Sequence, residues 1–245
     1  MKIKTVSSFI AGTSLLAASA SPAFAVVVDG IDIPTSPGQH VFAGTISQNI
    51  TTTVGEQLTG SGDINTFDGS TSYCAAGVSC SLSYTFSGFT LADITLPSEA
   101  ADNTGTANFT GGQVTFYANG DTANPWLTLT ADTEFGSEYT LEGTLTNANT
   151  PQAQNTAVGL LSVTGGTAAE YFDNDTYQNG DGGMSDLLFN TSLSPQTDMI
   201  FTGSADAHYV SGPSEVPEPG ALAMLGLGLT LVGFGASYRR RKQNS

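Results

Sequence analysis

In residues 80–87, CSLSYTFS, large apolar side chains alternate with hydroxyls without a slip. A period of two places Leu82, Tyr84 and Phe86 on one face of an extended chain and Ser83, Thr85 and Ser87 on the other, toward water. No long segment between residues 26 and 215 carries the period of an amphipathic helix, and Gly, Asn and Asp turn signals recur at short intervals. These patterns confine the body to an all-β fold. The expectation is an antiparallel β-sandwich, jelly-roll-like, of about ten to twelve strands.

The individual segments refine that expectation. Residues 26–33, VVVDGIDI, fit a first edge strand, which Pro34 and Pro37 break. Residues 40–54 are rich in Thr, Val and Ile and favour strand. Residues 55–72 are dense in Gly, Ser and Asp and read as loop, with Leu58, Ile64 and Phe67 as packing points. Residues 106–118 read as a strand pair turning at Gly111 and Gly112, and residues 126–133 with 139–147 as a hairpin across 134–138. Residues 158–163 suit a short apolar strand, 173–185 the longest polar loop, and 186–192 with 198–210 the two closing strands. No repeat of solenoid or propeller length stands out. Without Lys, the sheet edges would rely on Asp, Glu, Pro and bulges for protection.

Charge is partitioned along the chain. All 6 basic residues are Lys2, Lys4 and the cluster at 239–242, while all 22 acidic residues lie from Asp29 to Glu218. The 2 histidines, His40 and His208, are therefore the only side-chain cations available to the body. A body this negative repels nucleic-acid phosphates and anionic membrane surfaces, because such affinity needs cations that release counterions. Direct ionic contact with a uronate-rich polysaccharide would need a bridging divalent cation.

The two ends carry the clearest motifs. Lys2 and Lys4 precede an apolar stretch over residues 9–20, and Ala23-Phe24-Ala25 forms an A-x-A site, so residues 1–25 read as a signal peptide cleaved before Val26. At the other end stand Val216, Pro217, Glu218 and Pro219, then an uncharged run, then Arg239, Arg240, Arg241 and Lys242. Two prolines two apart forbid a helix through that point. The 17 residues 221–237 would span ~26 Å as a helix, close to the ~30 Å of a hydrocarbon core. A transmembrane helix over about residues 220–238 with its basic end on the cytoplasmic side is expected. This tail, residues 216–245, resembles a PEP-CTERM sorting domain. The resemblance covers about a tenth of the chain and rests on three unlike elements in fixed order. It implies a bacterial exported protein, held in the inner membrane as a precursor, with an exosortase-type membrane enzyme as its partner and cleavage near the Pro-Glu-Pro. It also implies association with exopolysaccharide, biofilm or floc, at the cell surface or in the extracellular matrix. The tail gives an address; it leaves the work of residues 26–215 open.

That body offers little chemistry. Cys74 and Cys80 are an even, closely spaced pair in an exported chain, which points to a structural disulfide, since five intervening residues fit no CxxC pattern. No GxSxG, HExxH or P-loop pattern occurs. The acidic group Asp132, Glu134 and Glu138 falls where the chain was expected to turn, and reads as a solvated turn before it reads as a glycosidase pair. Asp173, Asp175 and Asp181 lie in an oxygen-rich loop that is a candidate for calcium, although Tyr177 and the missing twelfth-position Glu break the EF-hand pattern. No other cofactor is indicated. The expected function is a non-enzymatic surface or matrix protein with a structural or adhesive role; the alternatives are a carbohydrate-binding module using an aromatic such as Trp126, and a glycan-active enzyme using Glu134 or Glu138.

Overall fold

A computed structural model describes residues 25–96, 104–134, 136–146, 154–196 and 200–211. Ala23 of the cleavage site, the Pro-Glu-Pro segment, the apolar run and the basic cluster lie outside these residues. The chain opens on a hairpin, β1 (Val26–Val28) and β2 (Ile31–Ile33). Its turn is Asp29-Gly30, with φ of 52° and 83°, the paired positive values of a tight type I′ connection. The single edge strand expected over this stretch is thus two strands.

The barrel follows as β3 (Gly38–Asn49), β4 (Gln57–Phe67), β5 (Leu82–Thr95), β6 (Thr104–Thr110), β7 (Gln113–Ala118), β8 (Leu127–Asp132), β9 (Leu141–Thr146) and β10 (Gln154–Gly165). A 3-10 turn at Ala169–Tyr171 leads to a small hairpin, β11 (Tyr177–Gln178) with β12 (Met184–Ser185). The body closes with β13 (Leu187–Pro195) and β14 (Ile200–Ser211).

All pairings are antiparallel. β5 pairs with β7 along residues 82–87 and with β6 along 90–95. β10 pairs with β9 along 154–159 and with β8 along 160–165, while β13 runs along its other side. β6 and β7 therefore form one interrupted stave, and so do β8 and β9. β14 pairs with β3 along its full length, from Ile200 against Asn49 to Ser211 against Gly38. The 10 strands make one sheet that meanders through eight staves and closes on itself.

Four expectations are corrected by this arrangement. The jelly-roll-like sandwich is replaced by a closed up-and-down barrel; alternation requires one dry face, and a sheet curled on itself satisfies that as well as a second sheet does. Residues 106–118 and 126–147 are not hairpins, because β6 does not pair with β7 nor β8 with β9; each pair continues in one direction. The glycines at 111 and 112 mark a corner. A Cβ on Gly111 would lie 3.1 Å from the Gly88 carbonyl, and one on Gly112 would enter the Phe89 ring. The stretch 57–67 is a strand in the middle of the sheet. A Cβ on Gly60 or Gly62 would strike the rings of Phe86 or Tyr84, which lie across β4 where its own side chains are missing.

Inward positions alternate as the pattern of residues 80–87 predicts, but their size is graded along the axis. At the end where β3 starts, Phe42, Phe116, Trp126, Phe172 and Tyr209 fill the interior, with ring centroids 4.7–6.0 Å apart across the Phe42, Phe172 and Tyr209 contacts. The β1–β2 hairpin seals this end with Ile31 and Ile33, both 0% exposed. It is held by Trp126 Nε1–H donating to the Val28 carbonyl and by Asp32 N–H donating to the Tyr73 carbonyl. The loop that carries Tyr73 is closed by the expected disulfide, Cys74–Cys80, with Cα atoms 5.5 Å apart.

Candidate functional site: an apolar cavity at one end of the barrel

Toward the other end the inward positions shrink to Ala107, Gly143 and Ala157, and the barrel is not filled. A cavity of about 310 Å³ results, at the small end of the range for ligand pockets. Phe86, Phe89, Phe109, Leu141, Leu193 and Phe201 supply much of its apolar wall. It reaches the surface beside Thr51 and Thr52, in the connection from β3 to β4. Among the described residues that line it there is no Asp, Glu, His, Cys, Lys or Arg.

Two buried polar side chains interrupt the apolar wall, while Gln48, Asn49, Thr51, Thr52 and Thr156 line it from less buried positions. Asn155 on β10 and Thr191 on β13 are each 7% exposed. They sit one diagonal step apart across the strand pair, Asn155 opposite Leu193 and Thr191 opposite Ala157. Asn155 Oδ1 and Thr191 Oγ1 are both buried without a hydrogen-bond partner. Neither residue was legible as a site residue. Asn155 stands among polar residues and Thr191 among strand hydroxyls; a period-two register that places Asn155 inward with Ala157 is the only signal.

The residues marked for catalysis do not converge. Trp126, the aromatic proposed for sugar stacking, is 0% exposed at the plugged end. Glu134 is half-buried and Glu138 exposed, and neither lines the cavity. Burial raises the Glu134 carboxyl above its ordinary value, with the Glu142 charge adding to the effect. Glu134 Oε1 has no hydrogen-bond partner. Asp132 accepts hydrogen bonds from Ser162 and Ser185, which tie β8 to β10 and to β12.

The calcium candidates are only partly assembled. Asp173 and Asp175 approach Asp186, with ligand atoms of the three within 4.8 Å of one another; Asp181 is not in the group. Asp186 is 3% exposed, and its carboxylate is already engaged. The Asn174 and Asp175 N–H groups donate to Oδ1 at 2.7 and 2.8 Å, and Val163 N–H donates to Oδ2 at 2.7 Å. Those contacts pin the loop to β10.

His40, on β3, is 5% exposed, and its partners are invisible to sequence. Its Nδ1 is 2.7 Å from Asp68 Oδ2, and its Nε2 is 2.7 Å from the Ser36 carbonyl and 3.0 Å from Ser211 Oγ. The Ser-His-Asp order suggests a triad, but the contacts do not build one. Nε2 faces the Ser36 carbonyl at 2.7 Å, closer than Ser211 Oγ, so it is not aimed at a serine hydroxyl hydrogen. Ser211 spends its own hydrogen on the Ser36 carbonyl. The Asp68 contact, an ion pair whenever His40 is protonated, fastens β3 to the turn after β4 and is the one such pair among the described residues, while the Ser211 contact fastens β3 to the end of β14.

Neither the curated proteins nor the solved structures contain a match to the chain. The family model of the PEP-CTERM protein-sorting motif matches residues 215–241, which includes the Val216-Pro217-Glu218-Pro219 segment and Arg239, Arg240 and Arg241. That motif begins four positions after β14 ends at Ser211. A closed antiparallel barrel is thus joined, with almost no intervening chain, to a PEP-CTERM sorting motif, and the chain is a PEP-CTERM motif-bearing protein marked for export and exosortase-type sorting.

Proposed function

We propose that this chain is a non-enzymatic component of the cell surface or extracellular matrix, delivered through its sorting tail, whose barrel works by binding. The observation that carries the reading is the cavity: it is built like a ligand site, yet among the described residues no lining side chain is an acid, a base or a thiol. Acid–base and nucleophilic catalysis both need such a group at the reacting atoms. The outward face of the barrel, lined by Ser, Thr, Asn and Asp, suits a structural or adhesive neighbour of an exopolysaccharide matrix. With its tail in the inner membrane, the precursor would present the plugged end toward the bilayer, because β14 delivers the chain there, and the cavity away from it.

The test pairs location with binding. In a strain lacking the chain, cell aggregation should fall, and in the wild type the protein should fractionate with the cell surface or matrix. The exported protein should bind the neutral ten-carbon fluorophore azulene saturably at one site. No probe binding would remove the binding role; unchanged aggregation would remove the adhesive one.

A further inference from the structure

We infer that the cavity takes an uncharged single-chain amphiphile, of the class of a medium-chain alcohol or amide, whose O–H or N–H donates to Asn155 Oδ1 beside Thr191 Oγ1. The inference rests on reading the barrel as a binder and names what it binds. An apolar void needs no polar lining, and an unsatisfied buried acceptor costs about 1–3 kcal/mol, so two of them on adjacent strands call for a partner. Both stand in one patch, and the remaining wall is largely aliphatic and aromatic. The occupant therefore has one polar end and one apolar body.

Size and charge narrow the class. At the ~30 Å³ that a water takes in the liquid, and a methylene takes nearly the same, about 310 Å³ holds a chain of about ten carbons. A fatty-acid carboxylate is disfavoured: among the described residues no cationic side chain lines the cavity, and a buried unpaired charge costs far more than a hydroxyl. A sugar is disfavoured too, because most of the wall that its many hydroxyls would meet is aliphatic or aromatic. The chain's own apolar segment, residues 221–237, does not fit. As a helix about 26 Å long and 10 Å across it would fill about 2,000 Å³, and β14 leads toward it from the opposite end of the barrel.

Asn155 lies near the open end of β10, so the polar head sits toward the mouth and the tail toward Phe86, Val114 and Leu141. Thr191 can accept from the head or donate to its oxygen, since a hydroxyl does both.

The experiment is competition against azulene, an uncharged ten-carbon fluorophore with no polar atom, with three ligands of similar length: 1-decanol, decyl methyl ether and decanoate. The exported protein, its Asn155→Leu and Thr191→Val variants, and Ala157→Phe, which fills the cavity, are compared. Decanol should displace the probe at about tenfold lower concentration than the ether, which has the oxygen but no hydrogen to donate, and decanoate should be weakest. Asn155→Leu should bring the alcohol-to-ether ratio to about one while probe binding persists, and Thr191→Val should lower it. Melting temperatures of both should hold or rise, because each removes an orphaned polar atom. Equal affinity for alcohol and ether in the wild type would mean that a water satisfies the two side chains, and would overturn the inference. So would an alcohol preference that survives Asn155→Leu. Probe binding that is absent, or indifferent to Ala157→Phe, would instead overturn the underlying reading of the barrel as a binder.

Discussion

Replacing Trp126 by alanine separates a packing role from a recognition role. The side chain is fully buried, meets the Phe172 ring edge-on at 5.4 Å, and donates from Nε1 to the Val28 carbonyl at 3.3 Å. Removing a buried Trp costs about 3–5 kcal/mol in transfer and cavity terms, and the lost bond to Val28 adds up to about 1. A total of about 4 kcal/mol is a large share of the about 5–15 kcal/mol that holds a domain together. With a urea slope of about 2 kcal/mol per molar, the unfolding midpoint should fall by about 2 M with its slope unchanged. Far-UV circular dichroism is the assay, because the substitution removes the 1 Trp that would report by fluorescence. Probe binding in the absence of urea should survive, since the cavity lies at the other end of the barrel and Trp126 does not line it. A midpoint shift below about 0.5 M, or loss of ligand binding by a folded variant, would refute this account of the plug.

Further outcomes follow from the titratable and covalent features. Glu134 has its native pKa raised, so the native state holds its proton more tightly than the unfolded chain; stability is fully present below the ordinary carboxylate value and is lost as pH rises through the raised one. Glu134→Gln should therefore be more stable than wild type at pH 7, with the advantage vanishing in acid; equal melting at all pH values would contradict it. Burial also raises Tyr84 and Tyr209, so stability should fall above pH ~10, where the unfolded tyrosines ionise and the native ones do not, and Tyr84→Phe should blunt that fall in alkaline melts. Reducing Cys74–Cys80 should cost about 2 kcal/mol on the loop-entropy argument, or roughly 5 °C in melting temperature; a wild type insensitive to reductant would show that the loop is held by the β1–β2 hairpin alone. Asp186→Ala should destabilise by about 2–4 kcal/mol whether or not calcium is present, since three backbone donors lose their acceptor; rescue of the wild type by calcium alone would restore the metal reading.

The strand content was legible wherever side chains alternate: Leu82, Tyr84 and Phe86 point inward as their spacing demands, and β13 and β14 lie where expected. The corners were not. Gly88, Gly111 and Gly112 cluster on adjacent staves, and the same residue that reverses a hairpin also lets a strand kink without reversing. Sequence offers no way to tell the two apart when the deciding contact is with another strand. The Gly60–Gly62 stretch failed for the same reason, because the rings of Phe86 and Tyr84 supply the bulk that β4 lacks. The cavity is a property of space left over. It depends on Ala107, Gly143 and Ala157 meeting across different strands, and Asn155 gains its meaning only from what surrounds it.

The pairing of β14 with β3 has a consequence for the order of events during export. Neighbouring staves can zip together as they emerge, since each follows the last along the chain. The seam joining first to last must wait until Ser211 has crossed, and until then two raw strand edges stay available to other copies. A sorting signal placed only a few positions later would delay release to the moment the seam can shut.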